Sequence, residues 1–220
     1  MQYKFIHWHE SQFRINEMCD SLGVCRGGYY SWRDRKPTPS DSDQVWVADT
    51  TYLRIEGGWC YLATVMDLFS RRIVGWSVSN HNDSKLVGQA LQTAVLTRGG
   101  EIPKGLIHHS DRGSTYASYA YTDMLNSLGI EQSMSAKGNC YDNAAQESFY
   151  GRYKTSSVRG RIFADEQEAR SNAFEYIDVF YNRFRKHSSL GYQSPIQYEE
   201  KFYPHGGKQK TSLPACLSHN

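Results

Sequence analysis

The 220-residue sequence lacks long apolar runs, paired cysteines and a strong net charge. No apolar run reaches the roughly 18 residues that span a membrane, and residues 1–10 lack the apolar run and cleavage site of a signal peptide. Five cysteines without a Cys-x-x-Cys pair are typical of a reduced compartment rather than of a disulfide framework. We therefore exclude membrane-spanning and disulfide-stabilised secreted proteins and expect a soluble, cytoplasmic protein.

Charge is unevenly distributed along the chain, although the formal net charge is only +2. Residues 41–150 carry a net −4, whereas residues 1–40 carry +2 and residues 151–220 carry +4. An acidic centre between basic flanks suits a metal site beside a phosphate-binding surface, but ordinary solvated charge gives the same balance. Charge alone therefore supports a nucleic-acid partner only weakly.

Hydrophobic periodicity predicts an α/β fold. Strands are predicted at 45–55, 59–68, 71–79, 105–110 and 131–135. Helices are predicted at 84–98 and 117–128, then over the residues around Glu147, and finally over a long amphipathic stretch from 165 to 188. The apolar residues of that last helix are Phe174, Ile177, Phe180 and Tyr181. The order β-β-β-α-β-α-β-α predicts a mixed five-stranded sheet flanked by helices.

Three acidic residues are candidates for a shared site. Asp49 lies in the middle of an apolar strand, Asp111 follows the fourth strand, and Glu147 lies on the next helix but one. A carboxylate in an apolar strand costs free energy unless it is paired or bound to a cation. Asp67 also lies at a strand end, where it is either a turn cap, a salt-bridge partner or a further catalytic acid.

The residues around these acids have predicted roles of their own. Gly113 follows Asp111 and is expected to adopt backbone dihedrals that other residues avoid. Asn143 is predicted to cap the Glu147 helix, with Gln146 in a capping-box-like position. One stripe of this helix is predicted to pack on the sheet, namely Ala145, Phe149 and Tyr153. His108 and His109 alternate along a strand, so at most one of them faces the acids.

Several ordered motifs surround the three acids. They are Trp46-Val-Ala-Asp49-Thr-Thr-Tyr52, Gly58-Trp-Cys-Tyr-Leu-Ala63, Asp67-Leu-Phe-Ser-Arg71, Ile73-Val-Gly-Trp76, His109-Ser-Asp-Arg-Gly113, Gly138-Asn-Cys-Tyr-Asp-Asn-Ala144 and the run from Tyr181 to Pro195. Together with 35 residues between Asp111 and Glu147, this sequence resembles the DDE transposases of bacterial insertion sequences (OrfB type) and their retroviral-integrase-like catalytic core. The resemblance extends from Gln44 to about Phe202.

The resemblance implies a fold, a reaction and partners. The fold is RNase H-like, with the first and fourth strands adjacent. The reaction is DNA nicking and strand transfer, with Asp49, Asp111 and Glu147 as catalytic residues that hold two Mg²⁺ or Mn²⁺ ions. The partners are transposon ends and target DNA in the nucleoid and further copies of the chain; no small-molecule cofactor is expected. The DNA-binding residues implied are Lys154, Arg112, Asn139 and Arg152.

The same resemblance divides the chain into five segments. They are a small helical amino-terminal segment at 1–36, a linker at 37–43, an RNase H-like core at 44–160, a carboxy-terminal helical extension at 161–204 and a disordered tail at 205–220. In the family a longer helical stretch separates the first segment from the core, so this chain is internally shortened by comparison. An inactive remnant that only binds DNA or a full-length transposase is one alternative function, an RNase H-like nuclease is a second, and an unrelated arginine-rich DNA-binding module is a third.

Overall fold

Three short helices form the amino-terminal unit of the computed structural model, which describes residues 2–33, 39–134 and 144–202. They are α1 (Gln2–His9), α2 (Ile15–Ser21) and α3 (Arg26–Arg33). Ile6, Met18, Cys19 and Tyr29 form their small buried core. Gly23 ends α2 with a φ of 64°, a conformation that glycine adopts without steric cost. This unit comprises Met1–Thr38, and a second compact unit comprises Pro39–Asn220.

A five-stranded mixed sheet forms the centre of the second unit, with strand order β3-β2-β1-β4-β5. The strands are β1 (Val45–Ile55), β2 (Gly58–Asp67), β3 (Ile73–Ser79), β4 (Ile107–Ser110) and β5 (Glu131–Met134). β1 pairs antiparallel with β2 and parallel with β4. The five predicted strands and the predicted adjacency of the first and fourth strands are therefore confirmed.

The hairpin between β1 and β2 turns at Glu56 and Gly57, because Ile55 pairs with Gly58. The predicted strands at 45–55 and 59–68 left three residues for this turn, so the observed turn is one residue shorter than predicted. Gly57 has a φ of 80°, which explains why a glycine is needed at that point of the turn.

Helices cover both faces of the sheet, and strand alternation assigns each strand residue to one face. Val47 and Leu53 of β1 face the layer that contains α6 (Ala144–Tyr153) and α7 (Glu166–Phe174). Trp46 and Ala48 face the layer that contains α4 (Ser84–Thr97) and α5 (Tyr119–Ser127). The central strand is thus buried from both sides, as expected for a nearly continuous apolar strand.

Gly75 of β3 sets the close approach of α4 to the sheet. A Cβ atom at this position would lie 2.2 Å from the carbonyl oxygen of Ala90 and 2.5 Å from the backbone nitrogen of Ala94. α4 itself begins at the cap residue Asp83, whose Oδ1 accepts hydrogen bonds from the backbone N–H groups of Lys85 and Leu86. No side chain other than hydrogen fits between β3 and this helix.

The segment after α6 departs from the predicted long helix at 165–188. α6 continues into a π-helical stretch at Lys154–Val158, and α7 continues into another at Glu175–Tyr181, where the helix ends. A short 3₁₀ helix (Ser188–Leu190) and α8 (Pro195–Phe202) follow. Ile177 and Tyr181 are buried as predicted, but Phe174 and Phe180 are 45% and 43% exposed. The π-helical stretch begins after Phe174 and rotates Phe180 away from the face that a 3.6-residue period predicts.

A buried ionic cluster around Arg98 joins distant parts of the second unit. Arg98 lies 2.7 Å from Asp43 Oδ1, 2.7 Å from Glu199 Oε1 and 3.6 Å from Asp67 Oδ2. Arg72 lies 2.8 Å from Glu199 Oε2. Burial alone would raise the pKa of Glu199, but the two guanidinium groups outweigh it and lower that pKa to about 2. Asp43 precedes β1 and Glu199 belongs to α8, so the cluster joins the start of the central strand to α8.

No helix in the described ranges is both long enough and apolar enough to cross a membrane. The tail at 205–220 and part of the linker at 37–43 lie outside those ranges.

Candidate active site

Asp49 and Asp111 lie side by side where the pairing of β1 with β4 ends. That parallel pairing stops at Val47 and His109, and each acid follows by two positions. β1 continues to Ile55 beside β2, whereas β4 ends before Asp111, so the two strands diverge at the acids. The predicted convergence of these two acids is therefore explained by strand register.

The loop after Asp111 is held against β1. The hydroxyl groups of Thr50 and Tyr116 lie 3.1 Å apart, and Gln132 donates a 2.9 Å hydrogen bond to the carbonyl oxygen of Tyr116. Asp111 Oδ1 accepts a 2.9 Å hydrogen bond from the backbone N–H of Gly113. The loop thereby keeps Asp111, which is exposed, close to the end of β1.

Gly113 is required for a reason other than the predicted one. Its φ lies outside the left-handed region, so the expectation of unusual backbone dihedrals is wrong. A Cβ atom at this position would instead lie 2.9 Å from Asp111 Oδ1. The missing side chain leaves room for the Asp111 carboxylate.

Helix α6, which carries Glu147, is anchored to the strand that carries Asp49. Gln146 is fully buried, and its Nε2 donates to the carbonyl oxygens of Val47 at 2.7 Å and Thr64 at 3.3 Å. The Tyr150 hydroxyl donates to the carbonyl oxygen of Asp49 at 2.6 Å and lies 2.8 Å from the Thr64 hydroxyl. Thr64 is the cross-strand partner of Asp49. Hydrogen bonds of Gln146 and Tyr150 thus connect the turn that bears Glu147 to the β1 backbone around Asp49 and to Thr64 of β2.

This anchor corrects the prediction for Gln146, whose side chain bonds to the sheet rather than completing a capping box. Asn143, the predicted cap, lies outside the described residues. Sequence reasoning missed Tyr150 and Thr64 because their partners lie 86 to 101 residues away. The sequence did contain one indication of this anchor. Gln146 and Tyr150 are four residues apart, so their polar groups lie on the same face of the helix.

Electrostatics connect all three predicted catalytic acids. Burial, reinforced by the negative charges of Asp111 and Glu147, raises the pKa of the half-buried Asp49 to about 6. The Thr50 backbone N–H, 2.7 Å from Asp49 Oδ1, and the Lys154 ammonium oppose the rise. Glu147 itself is exposed in the first turn of α6. Asp111 and Glu147 are therefore both close enough to act on the Asp49 carboxylate.

The chemistry of these acids fits a divalent cation. Carboxylate oxygens are the ligands that Mg²⁺ and Mn²⁺ prefer, and a cation would relieve the repulsion that raises the Asp49 pKa. As the side chains stand, no three His, Cys, Asp or Glu residues in the described part of the chain are gathered closely enough to hold a metal ion. Cation binding would therefore draw the three carboxylates closer together.

The four predicted DNA-binding residues have different positions. Lys154 follows α6, is half-buried and acts on the Asp49 carboxylate. Arg112 is exposed beside Asp111, and Arg152 is exposed on α6. Asn139 lies outside the described residues. Lys154 thus lies near Asp49 in space, and Arg112 follows Asp111 in the sequence. Arg152 instead acts electrostatically on Tyr176 and His187.

The remaining candidates at the strand ends have structural partners. Asp67 is fully buried and accepts hydrogen bonds from the backbone N–H groups of Phe69 and Ser70, both at 2.9 Å. It is the turn cap and salt-bridge partner that the sequence suggested. His108 lies 3.0 Å from the Tyr121 hydroxyl and His109 lies 3.1 Å from the Ser133 hydroxyl.

Comparison with known proteins assigns a family to this arrangement. A profile described as integrase core domain matches residues 39–140, and a second profile of the same description matches residues 128–195. The chain is 46% identical over 165 residues to the uncharacterized 31 kDa protein of insertion element IS600 from Shigella sonnei, covering 75% of this chain and 60% of that protein. It is 44% identical over 162 residues to the transposase InsF of insertion sequence IS3A from Escherichia coli K12, covering 74% and 56% respectively.

Solved structures share the fold at much lower sequence identity. A chain of the simian T-cell lymphotropic virus intasome in complex with a PP2A regulatory subunit has a TM-score of 0.62 at 15% identity, covering 100% of this chain and 81% of that one. The catalytic core domain of HTLV-2 integrase in complex with magnesium has a TM-score of 0.53 at 14% identity, covering 75% and 99%.

These likenesses confirm the expected RNase H-like fold. The chain spans 60% and 56% of the length of the two curated relatives. Because the two profiles together extend over residues 39–195 and the two curated relatives are 46% and 44% identical to the chain over 165 and 162 residues, the chain belongs to the integrase core domain family, alongside the transposases of bacterial insertion sequences.

Proposed function

We propose that this chain catalyses metal-dependent nicking of DNA 3′ ends and their transfer to a new strand during insertion-sequence transposition. The observation that carries the proposal is the anchoring of the Glu147 helix to the Asp49 carbonyl, beside the point where the pairing of β1 with β4 ends and Asp111 follows. This arrangement supports a shared site for three acids from distant parts of the sequence. The proposal is also supported by a relative at 44% identity, which is named transposase InsF.

In this proposal Asp49, Asp111 and Glu147 hold two Mg²⁺ or Mn²⁺ ions. When bound, the ions would activate the attacking oxygen and stabilise the leaving oxygen of a phosphodiester. Gln146 and Tyr150 fix the helix that presents Glu147, and Gly113 keeps the Asp111 carboxylate unobstructed. The attacking group is water in the nicking step and the freed 3′-hydroxyl in the transfer step.

DNA would be held by cations beside the acids. We propose Lys154 and Arg112 as phosphate contacts, with Arg152 and Asn139 as further contacts of the same DNA. Because donor end and target must meet at one site, we also propose that the chain acts on nucleoid DNA in the cytoplasm as a homo-oligomer. An intasome and a trimeric integrase core among the structural neighbours are consistent with this proposal.

The test is a cleavage and strand-transfer assay on labelled duplexes that carry the sequences flanking the chain's own gene, with random duplex as control. We expect nicking and joining with Mg²⁺ or Mn²⁺, and their loss in Glu147→Gln. Glu200→Gln is the matched control, since Glu200 is exposed on α8.

Two outcomes would replace this proposal. Hydrolysis without any joined product would assign a nuclease. Folded protein that binds DNA but cleaves none of it would assign a DNA-binding remnant.

A further inference from the structure

Three arginine side chains from separate parts of the second unit act on one half-buried imidazole. The imidazole is that of His187, which follows the π-helical stretch at Glu175–Tyr181. The arginines are Arg71 in the turn between β2 and β3, Arg152 on α6, and Arg185 shortly before His187 itself. We call these four residues the His187 cluster.

Ring contacts and charge place the members of the cluster together. The ring of Tyr181 meets that of His187 edge to face, with centroids 5.0 Å apart. Both Arg71 and Arg185 act on the Tyr181 hydroxyl. Burial, reinforced by the positive charges of all three arginines, lowers the pKa of His187 to about 4. The imidazole is therefore neutral at pH 7 and lies in a positive environment.

The three guanidinium groups have no ion-pair partner in the described ranges. The arginine ion pairs found there are those of Arg72, Arg98, Arg161 and Arg170. Asp67 acts on Arg71, but its own carboxylate accepts hydrogen bonds from the turn that it caps and faces Arg98. Like charges that act on one ring also repel one another. An anion bound among them would offset this repulsion.

The imidazole itself offers an unused hydrogen-bonding atom. His187 Nε2 is buried from water and has no hydrogen-bond partner in the described part of the chain, whereas buried polar atoms in folded proteins are nearly always paired. The backbone around it is fixed, since the His187 N–H donates to the Gln193 carbonyl oxygen at 3.1 Å and the Tyr192 N–H donates to the His187 carbonyl oxygen at 2.8 Å. In the tautomer protonated at Nε2, this nitrogen is a donor for the oxygen of a ligand.

Arg71 has a backbone conformation that an arginine does not favour. Its φ is 62°, in the left-handed region where glycine is the usual residue. The turn is closed by a 2.8 Å hydrogen bond from the Arg71 N–H to the Asp67 carbonyl oxygen. Glycine would make this turn more easily, so the turn does not explain the arginine. Strained backbone of this kind is concentrated at binding and active sites.

A phosphate group matches the chemistry of the cluster. Each guanidinium presents paired N–H donors in one plane, which fit two phosphate oxygens at once. A phosphate group has more oxygen acceptors than a carboxylate, so it can engage donors from several directions. The turn that carries Arg71 follows Asp67, whose partner on β1 is Trp46, about 10 Å along the strand from Asp49. The cluster is therefore separate from the predicted catalytic acids.

We propose that the His187 cluster is a binding site for a phosphate group, separate from the site of the three acids. Its guanidinium groups hold the phosphate oxygens, and His187 Nε2 donates to one of them. The phosphate belongs either to the backbone of DNA or to a free phosphate compound. In the first case the site rests on the proposed function, because Arg152 would contact DNA here. In the second case it stands without that function.

The first experiment measures binding of inorganic phosphate to the full chain without divalent metal. Nitrogen-resolved NMR spectra follow the imidazole signals while phosphate replaces chloride at constant ionic strength, and His187→Gln identifies the signal of His187. We expect a saturable shift of that signal. Arg185→Gln should raise the Kd for phosphate about tenfold, the effect of one charged hydrogen bond. Arg183→Gln is the matched control, because it removes the same charge nearby, and the exposed Arg183 donates to the Asp178 carbonyl oxygen instead.

Arg71→Gly separates phosphate binding from folding. Glycine suits a φ of 62°, so urea unfolding should show little loss of stability in this variant. Its Kd for phosphate should nevertheless rise about tenfold. A purely structural role of the Arg71 side chain would give the reverse, a loss of stability with unchanged phosphate binding. Glu147→Gln should bind phosphate like the wild-type chain, which keeps this result independent of the acids.

Duplex DNA distinguishes the two sources of the phosphate. If the phosphate belongs to DNA, Arg185→Gln should weaken metal-free binding of a labelled random duplex more than Arg183→Gln does, as measured by fluorescence anisotropy at one salt concentration. If the two variants bind the duplex equally but differ with inorganic phosphate, the ligand is a free phosphate compound. Equal behaviour of the two folded variants with both probes would overturn the site. A chain that gives this last result but cleaves and joins DNA with metal loses the phosphate site and retains the proposed function.

Discussion

Replacing Tyr150 with phenylalanine tests whether the anchor of α6 positions the active site. The change removes one hydroxyl and leaves the ring in place. That hydroxyl lies 2.6 Å from the carbonyl oxygen of Asp49, 2.8 Å from the Thr64 hydroxyl and 3.3 Å from the carbonyl oxygen of Leu62. Thr64 retains Gln146 as an acceptor, at 3.1 Å. The loss therefore falls mainly on the bond to Asp49, and we expect unfolding to become easier by about 1–2 kcal/mol.

The expected effect on catalysis is larger than the effect on stability. Without this bond, Gln146 is the remaining hydrogen-bonded anchor between α6 and β1 among the described residues, so Glu147 can shift relative to Asp49. A displacement of about 1 Å can cost about a hundredfold in rate. We expect Tyr150→Phe to reduce the rate of metal-dependent cleavage by about tenfold to a hundredfold. The assay is single-turnover nicking of a labelled DNA end, at a temperature where urea titration shows both proteins to be folded.

Tyr153→Phe is the matched control on the same helix. Tyr153 is equally buried, and its hydroxyl donates a 2.9 Å hydrogen bond to Asn172 on α7 rather than to β1. We expect a similar loss of stability, about 1 kcal/mol, with little change in cleavage rate. Equal cleavage rates in the Tyr150 and Tyr153 variants would refute the idea that the anchor positions the acids.

Two further variants test the fold around the site. Gly75→Ala would place a Cβ 2.2 Å from the Ala90 carbonyl oxygen, so chemical denaturation should show a loss of stability of about 3 kcal/mol. Gly58→Ala is the control and should change stability little, because no atom lies within 4 Å of its Cβ position. Equal stabilities of the two variants would contradict the close packing of α4 on β3. Burial lowers the pKa of His108 from 6.5 to about 4, so the folded state resists protonation and stability should fall by about 2 kcal/mol between pH 7 and pH 5. His108→Gln should remove this pH dependence when urea unfolding is measured at several pH values. His81→Gln should keep it, because His81 is exposed. An unchanged pH profile in His108→Gln would show that another group titrates.

The sheet was predictable from the sequence because its signals are local. Alternating β-branched and aromatic residues define β1, and the strand order then places Asp49 next to Asp111 once the fold is identified. The stripe of Phe149 and Tyr153 was also predictable, and both side chains are buried. In these places local propensity and tertiary packing favour the same structure.

The errors have a common physical origin in contacts that local patterns do not contain. The capping role predicted for Gln146 was reasonable for its helix position, but Val47, its partner, lies 99 residues earlier in the chain. The helix at 165–188 was predicted with a single period, whereas its hydrogen bonding changes at Glu175. Tyr52 and Trp59 have good strand propensity, and nothing in that propensity indicates that their rings remain exposed.

The Arg98 cluster makes α8 part of the cooperative structure of the sheet. One guanidinium contacts both Asp43, just before β1 begins, and Glu199 of α8. Removing either acid would leave a buried guanidinium partly unpaired, which costs far more free energy than the loss of a surface ion pair. The start of the central strand and α8 should therefore unfold together rather than one after the other.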